Sequence, residues 1–417
     1  MDKLIINGGK RLIGEVSVSG AKNAVLPIMA ATIINPGQYQ LSNVPELRDT
    51  LTMIKLLKTI GAKIVFNNNK LSIDTRFCNS YVAPYELVKT MRASFYLLGP
   101  LMSRFQCAHV SLPGGCAWGP RPVDFHIQAL KKLGANVKLE NGMIITEGKL
   151  KGNDIAFEIS SVGATGNTIM AAVKAEGLTK ITNAAREPEI DSLCDFLIKM
   201  GAKIKGVGTS ELMIEGTEEF NSDIDYNIIP DRIEAGTFLI ATCITNGDVI
   251  LNNVNPKHLT IVIDYLKKTG MSINVDKNTI HASGNRRIKP INMDTDAYPA
   301  FPTDLQAQWM ALMTKADGPS VITENIYEDR FTHIAELRRF GARIHLKKNM
   351  ALLNGSDTLK AAPVMSTDIR ASASLIIAAL SAKGKSSISR IYHIDRGYEN
   401  IEQKLSKLGA DIHREED

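Results

Sequence analysis

Lys199-Met-Gly201-Ala-Lys-Ile204 is one of six versions of a single phrase, and that recurrence decides how the 417-residue chain is built. The other five are Thr59-Ile-Gly61-Ala-Lys-Ile, Lys132-Leu-Gly134-Ala-Asn-Val, Lys268-Thr-Gly270-Met-Ser-Ile, Arg339-Phe-Gly341-Ala-Arg-Ile and Lys407-Leu-Gly409-Ala-Asp-Ile. Gly61, Gly134, Gly201, Gly270, Gly341 and Gly409 are almost evenly spaced along the chain. A near-constant period held over six copies means a fold assembled from one supersecondary unit. Each glycine stands where the end of a helix needs a left-handed residue. Ahead of it the apolar residues follow the 3.6 period, as in Leu193, Phe196, Leu197 and Met200, or Ile401, Leu405 and Leu408. Behind it a short strand turns into a second one: Asn141-Gly-Met-Ile-Ile-Thr, Glu211-Leu-Met-Ile-Glu and Asn349-Met-Ala-Leu-Leu-Asn are the clearest examples.

Upstream in each copy lies a more apolar, alanine-rich helix, expected over 24–34, 93–102, 166–175, 235–244, 305–314 and 371–382. Helices of that composition are buried on most sides. The unit therefore reads strand, buried helix, strand, amphipathic helix, strand hairpin, which is an α/β fold. The sixth copy stops short of its second hairpin strand, whereas Lys3-Leu-Ile-Ile-Asn-Gly-Gly at the other end looks like that missing piece. A chain that begins in one domain, leaves and returns gives two domains of three units. The expected boundaries are 22–229 for one, and 1–21 with 230–417 for the other, with a hinge and a ligand cleft at the crossings.

Composition narrows the function. Hydrophobic content of 44% and charged content of 22% are ordinary for a globular protein. No apolar run approaches membrane-spanning length, and the first residues lack a signal-peptide pattern, so a cytoplasmic location without membrane insertion is expected. Five cysteines and eight histidines show no C-x-x-C or H-x-x-x-H spacing, so neither a disulfide framework nor a structural zinc site is expected. A formal charge of +5 without a basic run disfavours nucleic acid and suits a small anionic substrate.

The starts of the buried helices gather polar side chains. Thr303, Asp304, Thr367 and Asp368 are ordinary N-cap residue types, and capping is one reading of them. Lys22, Arg92, Arg232 and Arg370 fit less well, since a cation there opposes the helix dipole unless an anion joins it. Ser161-Val-Gly-Ala-Thr-Gly166 reads as a loop able to offer N–H groups to a phosphate, although it is no P-loop, and Gly206-Val-Gly208 reads as a hairpin turn. Among the loops that follow the middle strands, Ser111-Leu-Pro-Gly-Gly-Cys116-Ala-Trp-Gly-Pro-Arg121-Pro-Val-Asp124 stands out. It places a thiol on a glycine-rich backbone near a fixed cation, a setting for thiolate or acid–base chemistry. The span from Ala93 to Gly134 exceeds that from Ala371 to Gly409, so this loop is the longer one, as a mobile lid would be. A surface loop with an incidental cysteine is the plainer alternative.

Lys22-Asn23, Pro113-Gly-Gly-Cys116, Gly119-Pro-Arg121-Pro-Val-Asp124, Phe301-Pro-Thr-Asp304-Leu-Gln-Ala-Gln308, Thr367-Asp-Ile-Arg370-Ala-Ser-Ala-Ser374 and Tyr392-His-Ile-Asp-Arg396-Gly-Tyr together resemble the enolpyruvyl transferases, over the whole chain. The likeness is to the branch acting on UDP-N-acetylglucosamine. The resemblance implies a two-domain inside-out α/β barrel, with buried helices and outer sheets and helices. It implies transfer of the enolpyruvyl group of phosphoenolpyruvate to the sugar 3-hydroxyl with release of phosphate, at the first committed step of peptidoglycan synthesis and without a cofactor or metal. It further implies that Cys116 is the proton donor, forms a covalent adduct with phosphoenolpyruvate and is alkylated by fosfomycin. Asp304 would be the base. Lys22, Arg121 and Arg396 would bind the phosphate and carboxylate, and Asn23 the intermediate. Arg92, Arg121, Pro122, Val123, Asp124, Phe125, Ser161, Val162, Gly163 and Ile326 would line the nucleotide-sugar site, completed by Asp368 and Arg370. No role is implied for Trp118 or for Gly166-Asn167-Thr168. Two rivals stay open: the related branch that acts on shikimate 3-phosphate, and a catalytically dead binding paralogue.

Overall fold

The computed structural model describes residues 2–89, 91–112, 123–356 and 358–416. The chain divides into two compact units, Gly20–Ile229 and Met1–Ser19 with Pro230–Asp417. Each has its own apolar core.

Among the described residues each unit holds three four-stranded sheets of one design. A hairpin supplies two strands, the middle strand of the repeat pairs antiparallel with the inner hairpin strand, and a fourth strand pairs parallel with the middle one. In the third copy the order is Asp154–Ala156, Leu178–Thr182, Glu211–Glu215, Lys203–Lys205. The six phrase glycines all have positive φ, from 87° at Gly341 to 111° at Gly201, so each ends its helix as a left-handed residue and turns the chain into the hairpin. The turn at Gly206 and Gly208 connects Lys203–Lys205 to Glu211–Glu215.

Strand Lys3–Gly8 lies between Gly384–Ser389 and Asp411–Glu415, antiparallel to both, and completes the sheet of the sixth copy. The parallel partners of the first and fourth copies come from unexpected places. Ile13–Ser17 precedes helix Lys22–Ala31 in sequence but pairs with Asp248–Asn252. Asp223–Asn227 precedes helix Arg232–Ile244 but pairs with Gln38–Ser42. At each boundary, then, the last strand stays behind and the helix moves on. In the unit 20–229 the Ala21 N–H donates to Ile229 O at 2.7 Å, and in the other unit the Asp231 N–H donates to Ser19 O at 2.9 Å.

A repeated asparagine locks the parallel strand. Asn43, Asn183 and Asn253 sit just beyond the middle strand at φ of 56°, 57° and 54°. Their amides donate to the carbonyls of Ile228, Phe157 and Val18 at 2.8, 2.9 and 2.7 Å. Asparagine tolerates the left-handed region and carries its own donor, so one residue type does both jobs.

The alanine-rich helices are the buried ones: every residue of Arg232–Ile244 and of Gln306–Met313 is buried. Most begin earlier than their apolar periodicity suggests. Helices Lys22–Ala31, Val162–Ala172, Arg232–Ile244 and Ile369–Ser381 take in the polar residues ahead of the apolar run, and the second and fifth copies open with 3₁₀ turns, Arg92–Leu97 and Thr303–Leu305. The segment read as a loop at Ser161–Gly166 is therefore a first helical turn, with the Ser161 hydroxyl accepting from the Ala164 N–H at 3.4 Å. Periodicity registers only the apolar stretch, whereas unpaired N–H groups and side-chain caps let polar residues, themselves buried at Lys22, Arg232 and Arg370, begin the helix.

Candidate functional site

In the unit containing residues 230–417, Asp304 is the centre of an ion-pair cluster. It sits on the turn Thr303–Leu305, and its two oxygens accept from different guanidinium groups, Oδ1 from Arg330 Nη2 and Oδ2 from Arg370 Nη2, each at 2.8 Å. The capping reading fails for Asp304 and holds for Asp368, whose Oδ1 accepts from the N–H groups of Arg370 at 2.8 Å and Ala371 at 3.1 Å. Asp368 thus aims the first turn of Ile369–Ser381, and that turn carries Arg370 to Asp304.

Arg330 is held from below. Its Nη1 donates to the Thr303 hydroxyl at 2.8 Å, and Thr303 donates to Glu324 at 2.8 Å. Glu324, fully buried, also accepts from the Thr295 hydroxyl and from the N–H groups of Ile326 and Tyr327. Those bonds fix the loop that bears both Ile326 and Arg330. Tyr398 supports Arg370, with its hydroxyl 3.5 Å from Nη1 and bonded in turn to Thr237 and Gln308.

Burial by itself would raise the Asp304 carboxyl, but the charges of Arg370 and then Arg330 outweigh it and hold the group well below the usual carboxylate range. His333 nearby is neutral, pushed down to about 4 by burial and only partly supported by Asp368. Arg396 ends the turn Ile391–Arg396 and is half-buried, while its neighbour Asp395 is taken by Arg414 at 2.7 and 3.1 Å.

The cations at helix starts meet partners supplied by the chain itself. Arg370 meets Asp304, Lys22 Nζ lies 3.6 Å from Asp49 Oδ2, and the Arg232 guanidinium lies 5.5 Å from the Tyr298 ring centre. An internal carboxylate thus offsets part of the dipole cost at two of these helices, Lys22–Ala31 and Ile369–Ser381.

In the unit 20–229, Lys22 is the buried first residue of Lys22–Ala31, with half-buried Asn23 beside it. Three other expected segments converge on a residue that the sequence did not single out, His126. It lies on helix Asp124–Lys132, one residue beyond Phe125. Its Nδ1 is 2.8 Å from the Asn167 amide, and Asn167 also binds Phe95 O and the Gly99 N–H. A Cβ at Gly163 would stand 3.2 Å from the His126 ring, so this glycine lets helix Val162–Ala172 approach it closely. Burial, then the Arg92 charge, push His126 down to about 4, so the ring is neutral at physiological pH. His126 thereby joins the neighbourhoods of Arg92, of Val123, Asp124 and Phe125, and of Ser161, Val162 and Gly163. Phe125 packs edge-on against Phe157 with centroids 6.3 Å apart. The overlooked signal was a histidine on the apolar face of its helix, and an asparagine inside the alanine-rich run. Cys116, Arg121, Pro122 and Trp118 lie outside the described residues.

Comparison with known proteins gives consistent results. A family model described as EPSP synthase (3-phosphoshikimate 1-carboxyvinyltransferase) matches residues 6–405. A protein of Chloroherpeton thalassium named UDP-N-acetylglucosamine 1-carboxyvinyltransferase is 54% identical over 419 residues, covering 100% of this chain and 97% of its own. A protein of the same name from Geotalea daltonii is 52% identical, covering 99% of each chain. Among solved structures, the enolpyruvyl transferase NikO from Streptomyces tendae superposes with a TM-score of 0.90 at 24% identity, covering 99% of this chain and 98% of that one. An EPSP synthase from Acinetobacter baumannii gives 0.78 at 20% identity, with both chains fully covered. At those identities the two structures speak for the fold alone.

Proposed function

This chain belongs to the enolpyruvyl transferase family, and we propose that it transfers the enolpyruvyl group of phosphoenolpyruvate to the 3-hydroxyl of UDP-N-acetylglucosamine, releasing phosphate, in peptidoglycan synthesis. The full-length relatives above half identity carry the choice of acceptor over shikimate 3-phosphate.

The chemistry asks for an addition and an elimination. The sugar hydroxyl attacks carbon 2 of phosphoenolpyruvate while carbon 3 takes a proton, giving a tetrahedral ketal phosphate. Loss of that proton and of phosphate then yields the enol ether. Cys116 is the acid at carbon 3, and the family resemblance also makes it the site of a covalent adduct. Asp304 is the base. Its pair of guanidinium partners keeps it ionised throughout the physiological range, so it is always in the accepting form. The same partners make it a weak base, and that weakness is relieved when an incoming phosphate or carboxylate draws off part of their charge. Lys22, Arg121 and Arg396 take the phosphate and carboxylate of phosphoenolpyruvate, and Asn23 bonds the intermediate.

For the nucleotide sugar, the start of helix Val162–Ala172 offers backbone N–H groups with Ser161 as its cap, an arrangement suited to a phosphate. Arg92, Arg121, Pro122, Val123, Asp124, Phe125 and Ile326 complete the lining. Asp368 and Arg370 act through Asp304: one sets the helix start and the other holds the carboxylate. Both also complete the nucleotide-sugar site, the binding role that the resemblance implies for them.

Phosphate release is the test. Mixing phosphoenolpyruvate with UDP-N-acetylglucosamine should release phosphate, and neither substrate alone should. Release with shikimate 3-phosphate in place of the nucleotide sugar would overturn the acceptor assignment, and no release with either would mark a binding paralogue.

A further inference from the structure

Away from the groups used above, the solvent-facing side of one sheet in the unit 20–229 gathers three donors of different kinds. Cys107 on Cys107–Ser111 and Glu147 on Met143–Glu147 are directly opposite one another in the antiparallel ladder. His109 is two residues along from Cys107, hence on the same face, and diagonal to Glu147. The thiol, imidazole and carboxylate ligand atoms all lie within 4.8 Å of one another. Cys107 is a free thiol. His109 Nε2 is shielded from solvent and has no hydrogen-bond partner, and the ring plane is set by Tyr81, edge-on at 5.1 Å between centroids. A buried ring nitrogen without a partner is a cost that a ligand removes. Beside the cluster runs a groove of about 190 Å³ lined by His109, Asn136, Lys138, Glu140, Ile145 and Glu147.

We propose that Cys107, His109 and Glu147 form a three-ligand site for a borderline-soft divalent cation, zinc being the best match, with the groove holding water as the fourth ligand. The donor set makes the choice. Thiolate with imidazole selects zinc over magnesium or calcium, which take oxygen ligands. Zinc bonds of about 2.0–2.3 Å put the donors of a tetrahedral site less than about 4 Å apart, and small side-chain rotations reach that from the present spacing. Binding replaces the S–H bond of Cys107 by an S–metal bond and releases the proton to water. The ion would clip the middle strand to the hairpin of its own sheet. Spacing rules overlook such a site because Glu147 is remote from His109 along the chain and reaches it only across the ladder.

The test titrates the metal-free protein with Co²⁺ as a spectroscopic stand-in, then adds Zn²⁺. One equivalent of Co²⁺ should give a thiolate-to-cobalt charge-transfer band that Zn²⁺ abolishes. The band should vanish in Cys107→Ser and persist in Cys116→Ser, while His109→Gln and Glu147→Gln should weaken binding at least about tenfold. Zinc should raise the melting temperature of the parent protein and leave that of Cys107→Ser unchanged. Circular dichroism of each variant checks that it is folded, and three independent ligand changes keep the test open if one is not. A missing band, a band that survives Cys107→Ser, or one lost only in Cys116→Ser would overturn the site.

Discussion

Replacing Arg330 by Met is the sharpest probe of the Asp304 cluster. The side chain is buried, and its guanidinium spans Asp304 and Thr303 with two bonds of 2.8 Å. Methionine keeps most of the stem's bulk and removes both bonds. Breaking a buried ion pair by deleting one partner costs about 3–5 kcal/mol. Arg370 remains on Asp304, whose side chain is 26% exposed, so the loss belongs near the lower end, about 3 kcal/mol. The sign of the pH effect follows. Burial works against the Asp304 charge, but Arg370 and Arg330 hold its carboxyl depressed in the folded state. Such a group contributes stability that is complete above its unfolded value and is lost as pH falls through its folded one. With one cation gone the folded value rises, so the variant exhausts this contribution at a higher pH than the parent. Urea unfolding from about pH 7 to about pH 3 should show a gap of about 3 kcal/mol near neutrality that narrows in acid. In phosphate-release assays kcat should fall by about 10²-fold with little change in KM, because the base is misplaced while the groups that hold the substrates stay where they are. The acid limb of kcat/KM should also move to higher pH. A variant as stable as the parent, or a stability gap constant down to acid pH, would refute the reasoning.

Three further outcomes are expected. Cys116→Ser should cripple turnover, whereas Cys116→Asp should keep much of it and block alkylation; fosfomycin should add mass at Cys116, and an adduct mapped to Cys107 or Cys194 would contradict the proton-donor role. Gly20→Ala should destabilise by at least about 3 kcal/mol, because a Cβ there would stand 1.7 Å from the Asn43 carbonyl oxygen and backbone must move; an unfolding midpoint equal to the parent's would remove the argument. His126, ordinarily near 6.5, is pushed down to about 4 in the fold, so the unfolded chain takes up its proton first and stability falls as pH drops from about 6.5 towards about 4, by about 3 kcal/mol for this residue. His126→Gln should flatten part of that slope, leaving the similar share of His333; an unchanged slope would show that His126 is not buried as a neutral ring.

Much of the fold is legible because its signals are local. A glycine that ends a helix in the left-handed region needs only its own backbone, and all six phrase glycines have that conformation. Amphipathic and fully apolar helices separate by composition, and the hairpins by their turns. Helix starts were less legible: residue type offered both Asp304 and Asp368 as caps, and only side-chain geometry makes Asp368 one and Asp304 not. The candidate site was readable residue by residue only through the family likeness. Nothing local marks Arg330 or Glu324: their roles arise because the turn at Thr303 and the loop at 324–330 meet in space.

The sequence alone determined the repeat, its α/β character, the family and the residue types available for the chemistry. It could do so because helix ends, hairpin turns and motifs are encoded within a few neighbouring positions. Tertiary structure alone decided the pairing of strands and of charges. Ile13–Ser17 could as well have served the helix that follows it, yet its ladder is with Asp248–Asn252, and the whole unit 20–229 intervenes between the two in sequence. A parallel ladder requires only a free strand edge of matching register and says nothing about which strand fills it. The same holds at Asp304. Its place at a helical turn suggested a cap, and the folded chain instead gives it two guanidinium groups from 26 and 66 residues away. Coulomb attraction depends on distance in space, which no reading of neighbours along the chain supplies.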